Sequence, residues 1–343
     1  MRRFLYSTLF IALAAYCTHV SAEEAVPFPI PIGLPPIRWP ADNPYVAKKA
    51  ELGKLLYFDT RLSSNGEISC GTCHSAGCGF SDCRATAQGI MGNKGNRHSL
   101  TVINSAYQKL LFWDGRAKSL EDQAKGPIAN PNEMTLSKDI HESYRECEER
   151  IKNIAGYRVL FKEVFEDDEC TIDQIAKAIA TFERTILSGN SPYDRYKAGD
   201  KTAMTEEQIK GYQVFKKSNC GNCHVEPLFS DVRFLNIGIG MNVPNPDLGR
   251  YAITKDPKDW GSFAVPTLRE VANTGPYMHD GSESTLEAVI DYYDRGGNPN
   301  KNLHPLMKPL HLSDSEKKEL KSFLKALNGE GWQHHRDPSK FPE

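Results

Sequence analysis

The string Cys-x-x-Cys-His occurs twice, as Cys70-Gly71-Thr72-Cys73-His74 and as Cys220-Gly221-Asn222-Cys223-His224. Each copy is a c-type haem attachment signal. The two-residue spacer lets both thiols add to the vinyl groups of one porphyrin. The next residue then turns under the ring, where its imidazole can reach the iron. A zinc reading fails because neither copy has a second Cys pair nearby to complete a tetrahedral shell. A helix-like segment with similar apolar spacing precedes each copy. The expectation is two covalently bound haem c groups held by two similar units.

The length of 343 residues accommodates two domains with their own cores, and the net charge of -2 gives no basic excess that would suit nucleic acid. Arg2 and Arg3 precede an apolar run, Phe4 to Tyr16, that is too short to span a bilayer. Val20-Ser21-Ala22 reads as a cleavage site, so residues 1–22 are predicted to be a signal peptide and the protein to be exported, to the periplasm. Bulky Tyr16 argues against lipidation of Cys17. No later stretch is long and apolar enough to cross a membrane. With four Cys given to haem, Cys78, Cys83, Cys147 and Cys170 remain in an oxidising compartment. Cys78–Cys83 and Cys147–Cys170 are the sequence-local pairings, although other connectivities stay open.

In chain order, Pro27 to Pro44 reads as an extended arm. Helices are predicted over Val46 to Phe58, Leu100 to Leu111, Ser119 to Lys125, Tyr144 to Ile154 and Gly156 to Phe165. Gly126 to Met134 reads as turn-rich. Capping boxes at Thr171–Gln174, Thr205–Gln208 and Ser313–Glu316 start further helices, and Ser284-Thr285-Leu286-Glu287 starts another. A boundary between halves falls near residues 190–203. Strand-type alternation is nowhere sustained, so the fold class is mainly α, with two cytochrome-c-like domains.

Several further strings give the chain a resemblance. They are Phe112-Trp113-Asp114-Gly115-Arg116, the Gln123-to-Glu133 segment, Phe182-Glu183-Arg184-Thr185, Ser188-Gly189-Asn190-Ser191-Pro192, and Pro266-Thr267-Leu268-Arg269 through Pro276-Tyr277-Met278-His279-Asp280-Gly281. In these the chain resembles the bacterial di-haem cytochrome c peroxidases, and among them the branch that includes the tryptophylquinone-maturing MauG. The resemblance covers about Leu52 to Leu327.

It implies a peroxidatic N-terminal domain, residues 23–197, and an electron-transfer C-terminal domain, residues 198–343. His74 and His224 become proximal iron ligands. Glu133 matches a distal acid/base and Gln123 a distal hydrogen-bond donor, the groups that heterolysis of a peroxide bond requires. Trp113 matches a tryptophan between the haems. The family's usual capping His falls on Ile90, which cannot ligate, so the first iron is expected to be open. Met91 and His98 are the alternative ligands there. For the second iron the resemblance points to Tyr293, with Met278 as runner-up. Leu286, Val289, Ile290 and Tyr293 form a helical stripe that buries Tyr293 and leaves Tyr292 off it.

Thr274 and Pro276 match carbonyl ligands of an inter-domain calcium. The third ligand in the family is Asn, and here it is His98, whose imidazole is a poor calcium ligand. His141, His304, His311, His334 and His335 read as surface residues. Implied partners are hydrogen peroxide and a small donor such as a cytochrome c or cupredoxin, and a homodimer is allowed. The implied activity is peroxide reduction. A MauG-like oxidation of a protein side chain is the alternative. A di-haem electron carrier, with both irons closed, is the rival outside enzymes.

Overall fold

The computed structural model describes residues 28–343, so the signal peptide and Cys17 lie outside the described residues. The helices are α1 (Ala47–Phe58), α2 (Cys70–Cys73), α3 (Leu120–Ile128), α4 (Ile140–Lys152), α5 (Ala155–Phe165), α6 (Ile172–Glu183), α7 (Pro192–Ala198), α8 (Glu206–Lys217), α9 (Tyr251–Thr254), α10 (Leu286–Asp294) and α11 (Asp314–Lys325). Strands are two-residue pairs only: Ser188–Gly189 with Glu330–Gly331, and Phe234–Leu235 with Phe263–Ala264, both antiparallel. The fold is mainly helical, as the absence of alternation predicts.

The two halves are built on one plan. In the first, α1 crosses α6; in the second, α8 crosses α11. Each crossing is closed by a glycine. A Cβ on Gly53 would lie 1.9 Å from the Ala178 carbonyl oxygen, and one on Gly211 would lie 1.9 Å from that of Glu319. Phe182 and Phe323 sit beside the same two glycines. Helix backbones approach this closely only where no side chain intervenes. Around the first crossing lies a core that includes Leu56, Tyr57, Phe161 and Ile175. Around the second lies one that includes Tyr193, Phe215, Phe229 and Phe323. The capping boxes at Thr171, Thr205 and Ser313 all form, and each satisfies free amides at its helix start.

The proline-rich arm ties the halves together. Gly33 accepts from Arg269, and Ile32 accepts from the Asn190 amide at 2.7 Å. Arg269 is itself fully buried and makes a two-pronged pair with Asp194 at 2.8 Å for each contact. The chain end returns across the first half: Trp332 joins the first core and His335 Nε2 meets the Thr185 carbonyl at 3.1 Å.

Four expectations fail. Leu100–Leu111 is not a helix; only one 3-10 turn, Ser105–Tyr107, forms there. Asn104 is captured by Ser188 instead, with two hydrogen bonds of 3.0 Å that hold it at φ 62. The Gly126–Met134 stretch is not turn throughout, because α3 continues through Pro127 to Ile128. Cys78 and Cys83 are disulfide-bonded, but Cys147 and Cys170 are separate buried thiols. The Cys170 thiol turns to the Asp168 carbonyl at 3.5 Å. Finally, His304 and His335 are half-buried rather than on the open surface: His304 lines a cavity and His335 meets Phe182 edge-on at 5.3 Å.

Candidate haem sites

In the first site, the Ser69 cap opens α2 and so turns Cys70 and Cys73 onto one side. The Tyr57 hydroxyl donates to the His74 carbonyl at 2.9 Å and anchors the motif to α1. His74 is buried. Its Nδ1 has no hydrogen-bond partner, although the carbonyls of Leu100 and Phe80 favour a proton on the ring. Burial lowers its pKa, which keeps it neutral and able to ligate.

The loop that follows the motif packs on the segment carrying Glu133. The Ile90 amide donates to the Glu133 carbonyl at 3.0 Å, and a Cβ on Gly89 would lie 2.0 Å from the Asn132 carbonyl oxygen. Ile90 is fully buried, whereas Met91 is 72% exposed and turned to solvent. Met91 therefore drops out as a ligand. His98 drops out as well, since both of its ring nitrogens are engaged: Nε2 with Ser81 Oγ and Nδ1 with the Arg84 carbonyl, each at 3.0 Å.

Glu133 accepts from Asn130 Nδ2 at 2.6 Å. Burial raises its pKa; Arg116 and Asn130 pull it back. Its charge also reaches Cys73 of the first motif. Gln123 is half-buried on α3. Sequence reasoning missed Asn130 and Arg116, although Arg116 stands in a motif from which only Trp113 was taken. It also missed Glu183. This side chain is 4% exposed, and its Oε2 has no partner. Its charge is felt at Cys70 and Tyr57, and burial pushes its pKa up to about 8.

The second site is a cavity of about 560 Å³. Cys220, Cys223 and His224 line it together with Tyr293, Met278 and Trp113. His224 Nδ1 donates to the Phe229 carbonyl at 3.0 Å, which fixes the tautomer and leaves Nε2 free to ligate. Both candidate distal residues thus reach one cavity. Neighbouring Tyr292 is fully buried, against the stripe argument, because its hydroxyl donates to the Ile237 carbonyl at 2.7 Å. The stripe residue Tyr293 faces the cavity instead, and burial raises its pKa, with the Cys220 and Cys223 sulfurs adding to the effect.

Trp113 lines the second cavity. Its Nε1 donates to the His98 carbonyl at 2.8 Å, and its ring meets His279 edge-on at 6.3 Å. His279 stacks on Phe263 at 3.6 Å, and burial drives its pKa to about 4.

The residues fit two haem groups. Four motif thiols are free, and burial raises the pKa of each, to about 11 for Cys73 and about 12 for Cys220. Each motif ends in a buried, neutral imidazole.

Comparison with known proteins agrees. The family described as di-haem cytochrome c peroxidase matches residues 47–202. The chain is 39% identical to the cytochrome-c peroxidase IdrP1 of Denitromonas iodatirespirans, over 97% of this chain and 96% of that one. It is 39% identical to the methylamine utilization protein MauG of Methylorubrum extorquens, over 85% and 81%. A crystal structure of a MauG-like protein associated with microbial copper homeostasis is 32% identical, covers 91% of this chain and 99% of its own, and superposes with a TM-score of 0.81. Two haem-attachment motifs in a helical fold, shared with these relatives over most of its length, make the chain a member of the di-haem cytochrome c peroxidase family and an oxidoreductase of that type.

Proposed function

We propose that the protein is an exported, periplasmic peroxidase that reduces hydrogen peroxide to water with two electrons and two protons, the electrons entering from a small donor protein through the second haem. The observation that carries this reading is the junction of Ile90, which cannot ligate, with the segment of Glu133, a half-buried carboxyl whose charge reaches Cys73 of the first motif. Cys70, Cys73 and His74 would hold the first haem, and Cys220, Cys223 and His224 the second, with Tyr293 lining the same cavity and able to ligate its iron. When bound, the first haem supplies an open iron position for peroxide cleavage, and the second supplies the electron store.

The chain does the rest. Glu133 takes a proton from the peroxide oxygen nearer the iron and returns it to the leaving oxygen, as general base and then general acid. Its raised pKa keeps the carboxyl poised for both directions, and Asn130 fixes its orientation. Gln123 donates a hydrogen bond to the bound oxygen atom. Ile90 excludes a competing side-chain ligand. Trp113, held by the His98 carbonyl at the wall of the second cavity, relays electrons between the sites.

A second reading has a specific observation in its favour. Tyr293 lies in the second cavity, and an anionic phenolate there lowers the potential of its iron and favours sharing oxidising equivalents over both haems. That suits a MauG-like oxidation of a protein side chain. Steady-state assays separate the two. The peroxidase reading expects rapid peroxide consumption with a reduced cytochrome c or cupredoxin; slow consumption with every such donor, alongside covalent oxidation of a protein partner, favours the second.

A further inference from the structure

The calcium suggested at Thr274 and Pro276 meets a different chemistry at His98. Its imidazole is 6% exposed. Nδ1 meets the Arg84 carbonyl at 3.0 Å, and the carbonyls of Thr274 and Ala85 also favour protons on the ring, against the effect of burial. Nε2 meets Ser81 Oγ at 3.0 Å, and that hydroxyl donates to the Ser99 carbonyl at 2.6 Å. Calcium takes several oxygen ligands, and here an imidazole with both nitrogens engaged stands in reach of the Thr274 carbonyl. Asp82 is the carboxylate whose charge reaches this ring, and Arg84 already holds it at 2.8 Å. Nitrogen donors suit a hard cation poorly. The residues present do not fit calcium.

The main chain of the same residue joins the two halves. Its amide donates to the His279 carbonyl at 2.8 Å, and its carbonyl accepts from Trp113 Nε1 at 2.8 Å. A ring locked at both nitrogens fixes that peptide, and the peptide fixes the indole at the wall of the second cavity.

We propose that His98 takes the place of an inter-domain metal ion. Its ring is held between the Arg84 carbonyl and the Ser81 hydroxyl, and its main chain thereby positions Trp113 without bound metal. His98 acts through Trp113 and is a positioning residue.

The test uses the full holoprotein and reads metal content and unfolding, not turnover. Wild type and His98→Asn are purified, treated with a chelator, and melted with and without millimolar calcium. Asn is chosen because its amide oxygen suits a hard cation and because it removes the imidazole. Wild type is expected to hold no stoichiometric calcium and to melt at the same temperature in chelator and in calcium. His98→Asn is expected to melt lower in chelator and to recover by several degrees in calcium, because a ligand that binds only the folded state raises its stability. Stoichiometric calcium in wild type, or a calcium-dependent wild-type melt, overturns the proposal. So does a folded His98→Asn that calcium leaves unchanged. If that variant fails to fold, the wild-type measurements alone decide.

Discussion

The Ile90 amide donates to the Glu133 carbonyl at 3.0 Å, so the position proposed to withhold a ligand and the residue proposed as the acid share one hydrogen-bonded junction. The junction is tight, because a Cβ on Gly89 would lie 2.0 Å from the Asn132 carbonyl oxygen. The loop after the first motif is thus set by the same segment that carries the carboxyl.

Placing a ligand at that junction should close it. Ile90→His introduces an imidazole at the position where peroxidases of this family are capped. The oxidised variant is expected to lose the high-spin ferric signal of the first haem in electron paramagnetic resonance. Its reaction with peroxide should then require one-electron reduction first. A variant that stays high-spin and reactive when oxidised would show that residue 90 does not face the iron.

Glu133→Gln should keep both haem spectra and lower the peroxide rate by roughly 100- to 10,000-fold, the usual range for a lost general acid–base group. The pH profile carries a second signature. Burial raises the Glu133 pKa, and its carboxylate is the form that accepts the first proton. The rate should therefore fall as pH drops through a value above the ordinary carboxylate range. In Glu133→Gln that limb should vanish.

Glu183 makes the first half pH-sensitive. Its folded pKa of about 8 lies well above the ordinary glutamate value of 4.5, and desolvation is the largest cause. The native state then binds one proton more than the unfolded state between those values. Its stabilising contribution is complete below about 4.5, falls as pH rises, and is gone above about 8. Arg184 and Glu121 act on this carboxyl from α6 and α3, while Tyr57 and Cys70 face it from α1 and α2. Glu183→Gln stays neutral throughout. Its stability relative to wild type should grow by about 1.4 kcal/mol per pH unit across that window. Denaturant titrations at acid and alkaline pH measure this.

The two glycine crossings give matched probes of the two halves. Gly53→Ala and Gly211→Ala each drive a methyl into a helix carbonyl at 1.9 Å. Overpacking of this kind costs roughly 1–3 kcal/mol, and more where only backbone can yield. Each variant should lower the unfolding midpoint and perturb the haem of its own half more than the other. Equal perturbation of both haems by either change would mean that the halves do not respond separately.

The attachment motifs, the capped helices and the Glu133 segment were legible in the sequence because each is a local code: a thiol spacing, a capping box, a contiguous string. What escaped was set by partners distant in the chain. Leu100–Leu111 has helical periodicity, yet Ser188 claims Asn104 and breaks it. Tyr292 looked exposed by its phase, yet the Ile237 carbonyl draws it into the interior. Arg116 acts on Glu133 only after folding. Glu183 sits in a motif string, but its buried, unpartnered oxygen is a property of the α6 packing rather than of the string.

The most direct test of the open first site is to mix the fully oxidised protein with hydrogen peroxide in a stopped-flow spectrometer, with no prior reduction. Prompt bleaching and shift of the first haem's Soret band are predicted, at a rate proportional to peroxide concentration. An unreactive oxidised protein that responds to peroxide only after one-electron reduction would contradict the account.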